Sequence, residues 1–436
     1  MNIAFFWLIY TYLLTLPSLS TDNQVNKQLP TRTDNNNSLK VEVRKVGDKY
    51  SLYRGGKPYY IKGAAGSSHL SELKRVGGNS IRTWHTEDAQ QVLDSAYKNG
   101  ITVTLGLTVR NYKSELSRRR QLRAIKRDVR RYKDHPALLM WAVGNEVHQV
   151  YPDIKAWLLV NELAGVVKAE DPNHPTTTTL AGYTRLNMPF LRMLAPNLDI
   201  ISINAFNDLK NVAGKIKNPV WGWDGAYIVS EWGPPGYWED QEIKTPWNAT
   251  VEKTSTEKAI LYRQNYSYIQ QDAEQCIGSY VFYWGKKQER TPTLFSMFTA
   301  AGNPTEAVDA MQQVWTGKPP ADAAPHIKKL YWNGSSAISA IYTKPGAPIQ
   351  VQIETQDDRS NQLAYTWEIR PEGRYKKDKY NKEIEPAPVW SLTQDKGTGK
   401  LKLQVPEKEG PYRLYIYVTD ASQKVATGNI PFFVRG

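Results

Sequence analysis

The sequence predicts an α/β protein in which a (β/α)8 barrel is followed by a small all-β module. Three observations lead to this prediction. From residue 59 to residue 317, short apolar runs alternate with segments of helical period at the spacing of a strand-helix unit. Two of these runs close on a glutamate. After a break rich in proline and alanine at 318–325, apolar residues alternate with period two towards residue 436.

Length and composition are consistent with two domains. A barrel of typical size, about 250 residues, leaves room in a chain of 436 residues for one accessory module. Hydrophobic residues make up 40% of the chain and charged residues 23%, which permits a large core. The net charge of +13 allows attraction to acidic polymers without requiring it. Cys276 is the only cysteine, so we expect no internal disulfide.

The N-terminal segment predicts export. Residues 3–16 are apolar or aromatic apart from Tyr and Thr, and Pro17 and small residues follow, so residues 1–20 are interpreted as a signal peptide. An uncleaved anchor is the alternative, because the segment lacks Lys and Arg at its start, although a bilayer span needs about 20 residues. Residues 21–38 predict a flexible tether. We expect a periplasmic or extracellular protein, with membrane contact only if the segment is uncleaved.

The barrel region, 39–317, begins with a β-hairpin at 40–53, which we expect to cover the barrel bottom. The segment 117–133 is rich in Arg and Lys, yet its apolar residues fall on one helical stripe. We therefore predict the solvated outer face of the third barrel helix there, and no nucleic-acid partner. The eight barrel strands are expected at 59–63, 79–84, 101–107, 137–144, 175–180, 198–204, 227–231 and 276–284.

Two of the predicted strands end in a carboxylate. Asn145-Glu146 follows the apolar run 137–143, and Glu231 closes the run 227–231 within Ser-Glu-Trp-Gly. Parallel α/β enzymes place their chemistry at the carboxyl ends of the strands. For either strand alone, a Glu that only begins a loop would be an equal alternative. Two such carboxylates are what a glycosidase needs, since one protonates the leaving oxygen and the other attacks or activates water.

The order Asn-Glu and then Ser-Glu-Trp-Gly, on the apparent fourth and seventh strands, resembles clan A of the glycoside hydrolases, a large retaining (β/α)8 group, with a family 2-like catalytic barrel. The resemblance covers roughly 57–317. It implies that Glu231 is the nucleophile and Glu146 the acid/base, with the carboxyl groups about 5 Å apart. It also implies that Arg82, at the end of the second strand, keeps the nucleophile ionised, and that Asn145 bonds the sugar 2-hydroxyl.

Further candidates for substrate binding lie at strand ends. The resemblance implies that Trp284 forms the floor of the first sugar subsite, because apolar sugar faces stack on aromatic rings. Trp84, His85, Asn204 and Trp232 are the other candidates, and packing in the core is the alternative for both tryptophans.

The sequence departs from this pattern near the sixth strand. Many members of the clan have a Tyr that bonds the nucleophile, whereas Phe206 has no hydroxyl group. Either Tyr183 or another phenol takes this place, or the site tunes Glu231 differently.

Other functions were weighed against hydrolysis of a β-linked glycan. A non-catalytic carbohydrate-binding barrel has no need of both glutamates. A metal hydrolase needs ligand clusters, and the histidines show neither HxH nor HExxH spacing, so we expect no metal and no cofactor. A glycanosyltransferase uses the same two carboxylates and stays open, because the aromatic segment 233–250, with Trp238 and Trp247, could bind a second sugar.

The C-terminal region, 326–436, alternates as β-strands do, and its stretch 409–420 resembles a late strand of immunoglobulin-like modules. We interpret it as a rigid appendage. Carbohydrate binding is the alternative, but Trp332, Trp367 and Trp390 are too few to establish an exposed row.

Overall fold

The structure is a computed structural model that describes residues 39–436, apart from 111, 113, 148–153, 186, 240–242, 357–362, 373–375, 379–381 and 395–396. The predicted signal peptide and tether lie outside the described residues. The described residues from 39 to 436 belong to one compact unit. In the part of the chain that is described, no helix has the length and apolar character needed to cross a bilayer.

A small antiparallel sheet covers one end of the barrel. It consists of β1 (Val41–Val46), β2 (Lys49–Arg54) and β3 (Lys57–Tyr59), so the predicted hairpin has a third strand. The Val41 N–H donates to the Asn173 carbonyl at 2.8 Å, and the Tyr50 N–H donates to the Glu274 carbonyl at 2.6 Å. Both acceptors precede barrel strands, so the sheet lies at the amino ends of the strands.

The barrel is closed by eight strands that are paired in parallel. They are β4 (Ile61–Ala65), β5 (Ser80–Arg82), β6 (Thr102–Leu107), β7 (Leu138–Asn145), β8 (Thr176–Ala181), β9 (Ile200–Asn204), β10 (Tyr227–Trp232) and β11 (Cys276–Val281). The predicted strands are found in the predicted order. Strand β7 is buried up to Gly144, as its continuous apolar run requires.

A helix follows every barrel strand within the described residues. The helices are α1 (Leu70–Arg75), α2 (Ala89–Lys98), α3 (Glu115–Tyr132), α4 (Ile154–Glu170), α5 (Asn187–Leu194), α6 (Leu209–Ile216), α7 (Ser255–Gln270) and α8 (Glu306–Thr316). Their apolar faces pack against the strands in one large core. The molecule therefore contains a complete (β/α)8 barrel.

Helix α3 carries the basic run. Ile125, Val129 and Tyr132 are buried against the barrel. Arg130 pairs with Glu170 of α4 at 2.6 Å, and Arg118 pairs with Glu115 at 2.7 Å. The basic side chains thus form an outer face with carboxylate partners, in line with the predicted solvated helix.

The C-terminal module is a β-sandwich. One sheet has the order β12 (His326–Trp332), β14 (Pro348–Gln356), β17 (Lys400–Gln404), and the other has the order β13 (Tyr342–Thr343), β19 (Val425–Val434), β18 (Gly410–Thr419), β15 (Ala364–Pro371), β16 (Trp390–Gln394). Trp367 is completely buried between the sheets. This division of the strands resembles that of immunoglobulin-like domains.

The module packs against the barrel through buried polar contacts. Lys424, which lies in the turn before β19, pairs with Asp309 of α8 at 2.6 Å. The Thr427 N–H donates to Ser255 Oγ, and the Ile327 N–H donates to Thr256 Oγ1, both at 2.9 Å. The chain division at 318–325 stays a prediction, but the module is more closely joined to the barrel than an appendage would be.

Candidate active site

The two candidate carboxylates lie at the carboxyl ends of their strands. Glu231 is the fifth residue of β10, and Glu146 directly follows β7. The sixth strand of the barrel, β9, lies beside β10 and ends at Asn204. Since these strands belong to one parallel barrel, their ends meet at the same face.

The backbone at the end of β7 turns sharply to place Glu146. Gly144 has a φ of 80° and Glu146 a φ of 49°, both in the left-handed region. A side chain at Gly144 would lie 2.8 Å from Val147 Cγ1, so the turn also needs the missing Cβ. The Glu146 N–H donates to the Thr179 carbonyl at 2.9 Å, which fixes this residue against the neighbouring strand. A non-glycine residue in this conformation costs about 1–2 kcal/mol, which the surrounding contacts must offset.

Glu231 is held by two donors from the second strand and the residues after it. Arg82 Nη1 lies 3.0 Å from Glu231 Oε1, and the Trp84 indole N–H donates to the same oxygen at 2.8 Å. Arg82 is only 2% exposed and Glu231 only 8% exposed. A buried charge needs such a partner, because its desolvation is otherwise uncompensated.

Asn204 connects the two carboxylates. Its Nδ2 group donates to Glu146 Oε1 at 2.7 Å, and its Oδ1 accepts from Arg82 Nη1 at 3.3 Å and from Ser230 Oγ at 2.8 Å. Arg82 Nη2 also donates to Asn145 Oδ1 at 2.8 Å. The amide of Asn145 is thereby oriented so that its NH2 group, which has no acceptor among the described residues, is left as a donor. One network therefore contains both glutamates and the predicted Arg82, Asn145 and Asn204.

Burial raises the pKa of Glu231 above its ordinary value. The Arg82 guanidinium, the Trp84 N–H and the Lys287 ammonium oppose this rise because they favour the carboxylate, whereas the negative charge of Glu146 adds to it. Burial also lowers the pKa of Arg82, but an arginine remains a cation in proteins. The site therefore supplies the donors that the predicted nucleophile requires, in a setting that resists ionisation.

Trp84 donates to Glu231 in place of the tyrosine hydroxyl that is missing at Phe206. The Tyr183 hydroxyl donates to the Trp221 carbonyl and takes no part in the network around Glu231. Phe206 packs edge-on against Trp238 and Phe282. The sequence left open whether another phenol or a different group bonds Glu231. The structure favours the second alternative, because the Trp84 indole N–H is the second donor to Glu231.

Comparison with known proteins agrees with this geometry. Residues 67–233 match the family described as glycosyl hydrolases family 2, TIM barrel domain. The chain therefore carries a closed (β/α)8 barrel, part of which is similar to the family 2 catalytic barrel. The matched segment runs from just after β4 to just after Glu231, so it includes both glutamates and Arg82.

Curated relatives of the family 2-like barrel include three β-glucuronidases. That of Sus scrofa is 24% identical over 275 residues, which cover 60% of this chain and 39% of the relative. That of Rattus norvegicus is 29% identical over 194 residues, covering 39% and 28%, and that of Chlorocebus aethiops is 25% identical over 335 residues, covering 68% and 47%. The chain therefore spans less than half the length of these relatives.

Similar solved structures include a β-D-glucuronidase from Dictyoglomus thermophilum, with a TM-score of 0.49 and 18% identity, covering 64% of this chain and 54% of that chain.

Two predicted sugar-binding residues belong instead to the core of the family 2-like barrel. Trp284 is 0% exposed, and its indole N–H donates to the His69 carbonyl at 3.3 Å. Trp232 is 0% exposed and packs against Tyr262 and Tyr266. The prediction that Trp284 faces a sugar is therefore wrong, and for Trp232 the structure favours the packing alternative, because both side chains point into the layer between strands and helices.

His85 is exposed and does not join the network of hydrogen bonds among the described residues. Its prediction as a substrate contact stays a prediction. The histidines also do not gather with other ligands, since no group of three or more His, Cys, Asp or Glu side chains suited to a metal occurs in the described part of the chain.

Sequence reasoning missed two residues beside the network. Tyr283 stacks on Trp84 with ring centroids 6.0 Å apart and is half-buried, so it has the cleft-facing position that was predicted for Trp284. Lys287 lies over the Phe282 and Tyr283 rings at 4.9 and 5.8 Å from their centroids, and its Nζ pairs with Glu289 at 2.9 Å. Because β11 ends at Val281, the alternation of a strand no longer indicates which of the following residues faces the cleft.

Proposed function

We propose that this chain is a retaining β-glycoside hydrolase in which Glu231 is the nucleophile and Glu146 is the acid/base. The observation that carries the proposal is the pair of donors, Arg82 and Trp84, on a single oxygen of Glu231. Donors of this kind favour an ionised carboxylate, which a nucleophile requires. Glu146 makes no ion pair among the described residues, and its Oε1 accepts from the neutral Asn204 amide.

In the first step of this mechanism, a Glu231 oxygen attacks the anomeric carbon while Glu146 gives its proton to the glycosidic oxygen. The carbon–oxygen bond breaks, and the leaving group departs with that proton. In the second step, Glu146 accepts a proton from water as the water oxygen attacks the anomeric carbon, which releases Glu231 as a carboxylate. Asn145 is placed to donate its NH2 group to a sugar hydroxyl.

We further propose β-glucuronides as the first substrate class to test. The curated relatives are named β-glucuronidases. The Lys287 ammonium lies over the Tyr283 ring, and Tyr283 stacks on Trp84 beside Glu231, so we propose this cation as the partner for the carboxylate of a bound uronic acid. Turnover of an aryl β-glucuronide well above that of the matching β-glucoside supports this substrate class, and the reverse preference contradicts it.

Transfer to a second sugar is the alternative reaction, and one observation favours it. The Trp238 ring is 46% exposed at the edge of an aromatic cluster with Phe206 and Phe295. An exposed ring of this kind suits a second sugar. Trp247, the other aromatic residue proposed for this role, packs against Tyr342 and Phe433 of the module instead.

The assignment of the nucleophile can be tested by covalent labelling. A fluorinated glycoside that traps the glycosyl-enzyme should label Glu231, as identified by peptide mass spectrometry. Glu231→Gln should abolish turnover and labelling, because an amide does not form the intermediate. The matched control is Glu162→Gln on α4, whose carboxylate is partly exposed and pairs with Arg118 of the neighbouring helix α3. A label on any other residue, or substantial activity in Glu231→Gln, contradicts the proposal.

A further inference from the structure

Two loops of the barrel line the cleft beside Glu231. Loop 7, residues 233–254, follows β10 and carries Trp238. Loop 8, residues 282–305, follows β11 and carries Lys287 over the rings of Phe282 and Tyr283. The positions of these side chains therefore depend on what holds the two loops.

The loops are bound to each other by a buried cluster of charges. Lys258, the fourth residue of α7, pairs with Glu252 of loop 7 and donates to the Thr293 carbonyl of loop 8 at 2.8 Å. Thr291 Oγ1 donates to Glu252 Oε2 at 2.6 Å. The side chains of Lys258 and Glu252 are 6% and 2% exposed. A buried pair of this kind tolerates little displacement, because losing one partner leaves an uncompensated charge.

The C-terminal module is bonded to both loops at this cluster. Arg413 of β18 is 1% exposed, and its Nη2 donates to the Thr250 carbonyl of loop 7 at 2.8 Å. Its Nη1 donates to Asn429 Oδ1 at 2.6 Å, and Asn429 Nδ2 donates to Thr293 Oγ1 of loop 8 at 3.2 Å. Arg413 of the module is thereby bonded directly to loop 7 and, through Asn429, to loop 8.

A second contact from the module reaches the tip of loop 8. Glu383 Oε2 accepts from the Arg290 N–H at 2.6 Å, and Glu385 pairs with Lys286. The side chains of Lys286 and Glu385 are 31% and 22% exposed, so the pair is partly buried and is screened less by salt than an exposed pair. Lys286 precedes Lys287 directly. The contacts of Glu383 and Glu385 thus reach loop 8 on both sides of Lys287. The Lys287 ammonium lies over the Tyr283 ring, and Tyr283 stacks on Trp84, the donor to Glu231.

We propose that the module forms the outer support of the substrate cleft, and that Glu383 and Glu385 are positioning residues which hold Lys287 beside Glu231. The kinetic part of this proposal rests on the proposed glycosidase function. Without these two anchors, loop 8 keeps the contact at Thr293 and the bonds between Lys287 and Ser296, but it loses its contacts with the module at Lys286 and Arg290. The Lys287 ammonium then samples positions farther from Glu231, so the substrate is bound less tightly and the pKa of Glu231 rises.

The test uses the full chain with both carboxylates neutralised, Glu383→Gln together with Glu385→Gln. Glu354→Gln is the matched control, because Glu354 is an exposed carboxylate of the module on the other sheet. Hydrogen exchange followed by mass spectrometry should show faster exchange in peptides spanning 285–296 for the double variant, and no change for the control. This measurement requires no activity.

Kinetics then test the effect on the cleft. We expect kcat/KM to fall about tenfold in the double variant, mostly through KM, and the acidic limb of its pH profile to move to higher pH. Glu385→Asp, which keeps the charge, should retain most of the wild-type value. Thermal unfolding monitored by circular dichroism shows whether each variant is folded.

Exchange in 285–296 that matches the Glu354→Gln control overturns the proposal, as does faster exchange with an unchanged KM and pH profile. If the wild-type protein hydrolyses no glycoside, the proposed function fails by itself, and the exchange measurement still decides whether Glu383 and Glu385 hold the loop.

Discussion

Replacing Trp84 by Phe removes one donor from the predicted nucleophile while leaving an aromatic ring in place. The indole N–H lies 2.8 Å from Glu231 Oε1 and favours the ionised carboxylate. A hydrogen bond to a charged group contributes about 1.5–3 kcal/mol, and 1.36 kcal/mol corresponds to a tenfold change in an ionisation equilibrium. Loss of this bond should therefore raise the pKa of Glu231 further, on top of the rise that burial causes.

The assay is the pH dependence of kcat/KM with an activated aryl β-glycoside. The acidic limb of this profile follows ionisation of the nucleophile in the free enzyme. Because the pKa of Glu231 is raised, the limb of the wild type should lie above the ordinary glutamate value of 4.5. In Trp84→Phe the limb should move further towards neutral pH, so the loss of activity is large in acid and small on the plateau.

Trp141→Phe provides the matched control. Its indole N–H also donates to a carboxylate, Asp171 Oδ2, at 2.8 Å, but this pair lies towards the opposite end of β7 from Glu146. Trp141→Phe should lower thermal stability without moving the acidic limb. An acidic limb in Trp84→Phe that coincides with that of the wild type, or an equal shift in both variants, refutes the reasoning about the Trp84 bond.

Two further predictions concern the acid/base and the acceptor. Glu146→Ala should still form the glycosyl-enzyme with substrates that have good leaving groups, and azide should restore turnover as a glycosyl azide, because only proton transfer is missing; equal losses for good and poor leaving groups contradict this role. Trp238→Ala should lower the ratio of transfer to hydrolysis measured from early products by mass spectrometry, and an unchanged ratio means that this ring does not hold an acceptor.

The order of the barrel elements and the positions of both glutamates are local properties of the sequence. A strand buried on both faces must be a continuous apolar run, and 137–143 is such a run. Its end is marked by the polar pair Asn145-Glu146, just as Glu231 marks the end of β10. The helices are likewise determined locally, since the apolar stripe of α3 alone shows which side of this basic helix is buried.

The orientation of side chains beyond a strand end depends on contacts between distant residues. Trp84 and Glu231 are separated by 147 positions, so no local pattern indicates their hydrogen bond. Tyr283 and Trp284 are adjacent aromatic residues, and only the packing of Trp284 against Phe298 and Trp315 decides which of them faces the cleft.

The relation of the module to the barrel was also decided only in three dimensions. A proline-rich break followed by a change of period predicts an all-β module, and the described residues of 326–436 form a β-sandwich. This sequence pattern contains no information on whether the Arg413 side chain is exposed to water or buried against loop 7. In the sequence, Arg413 cannot be told from an ordinary exposed basic residue of a strand. Its partners Glu372, Asn429 and Thr250 come from separate segments of the chain.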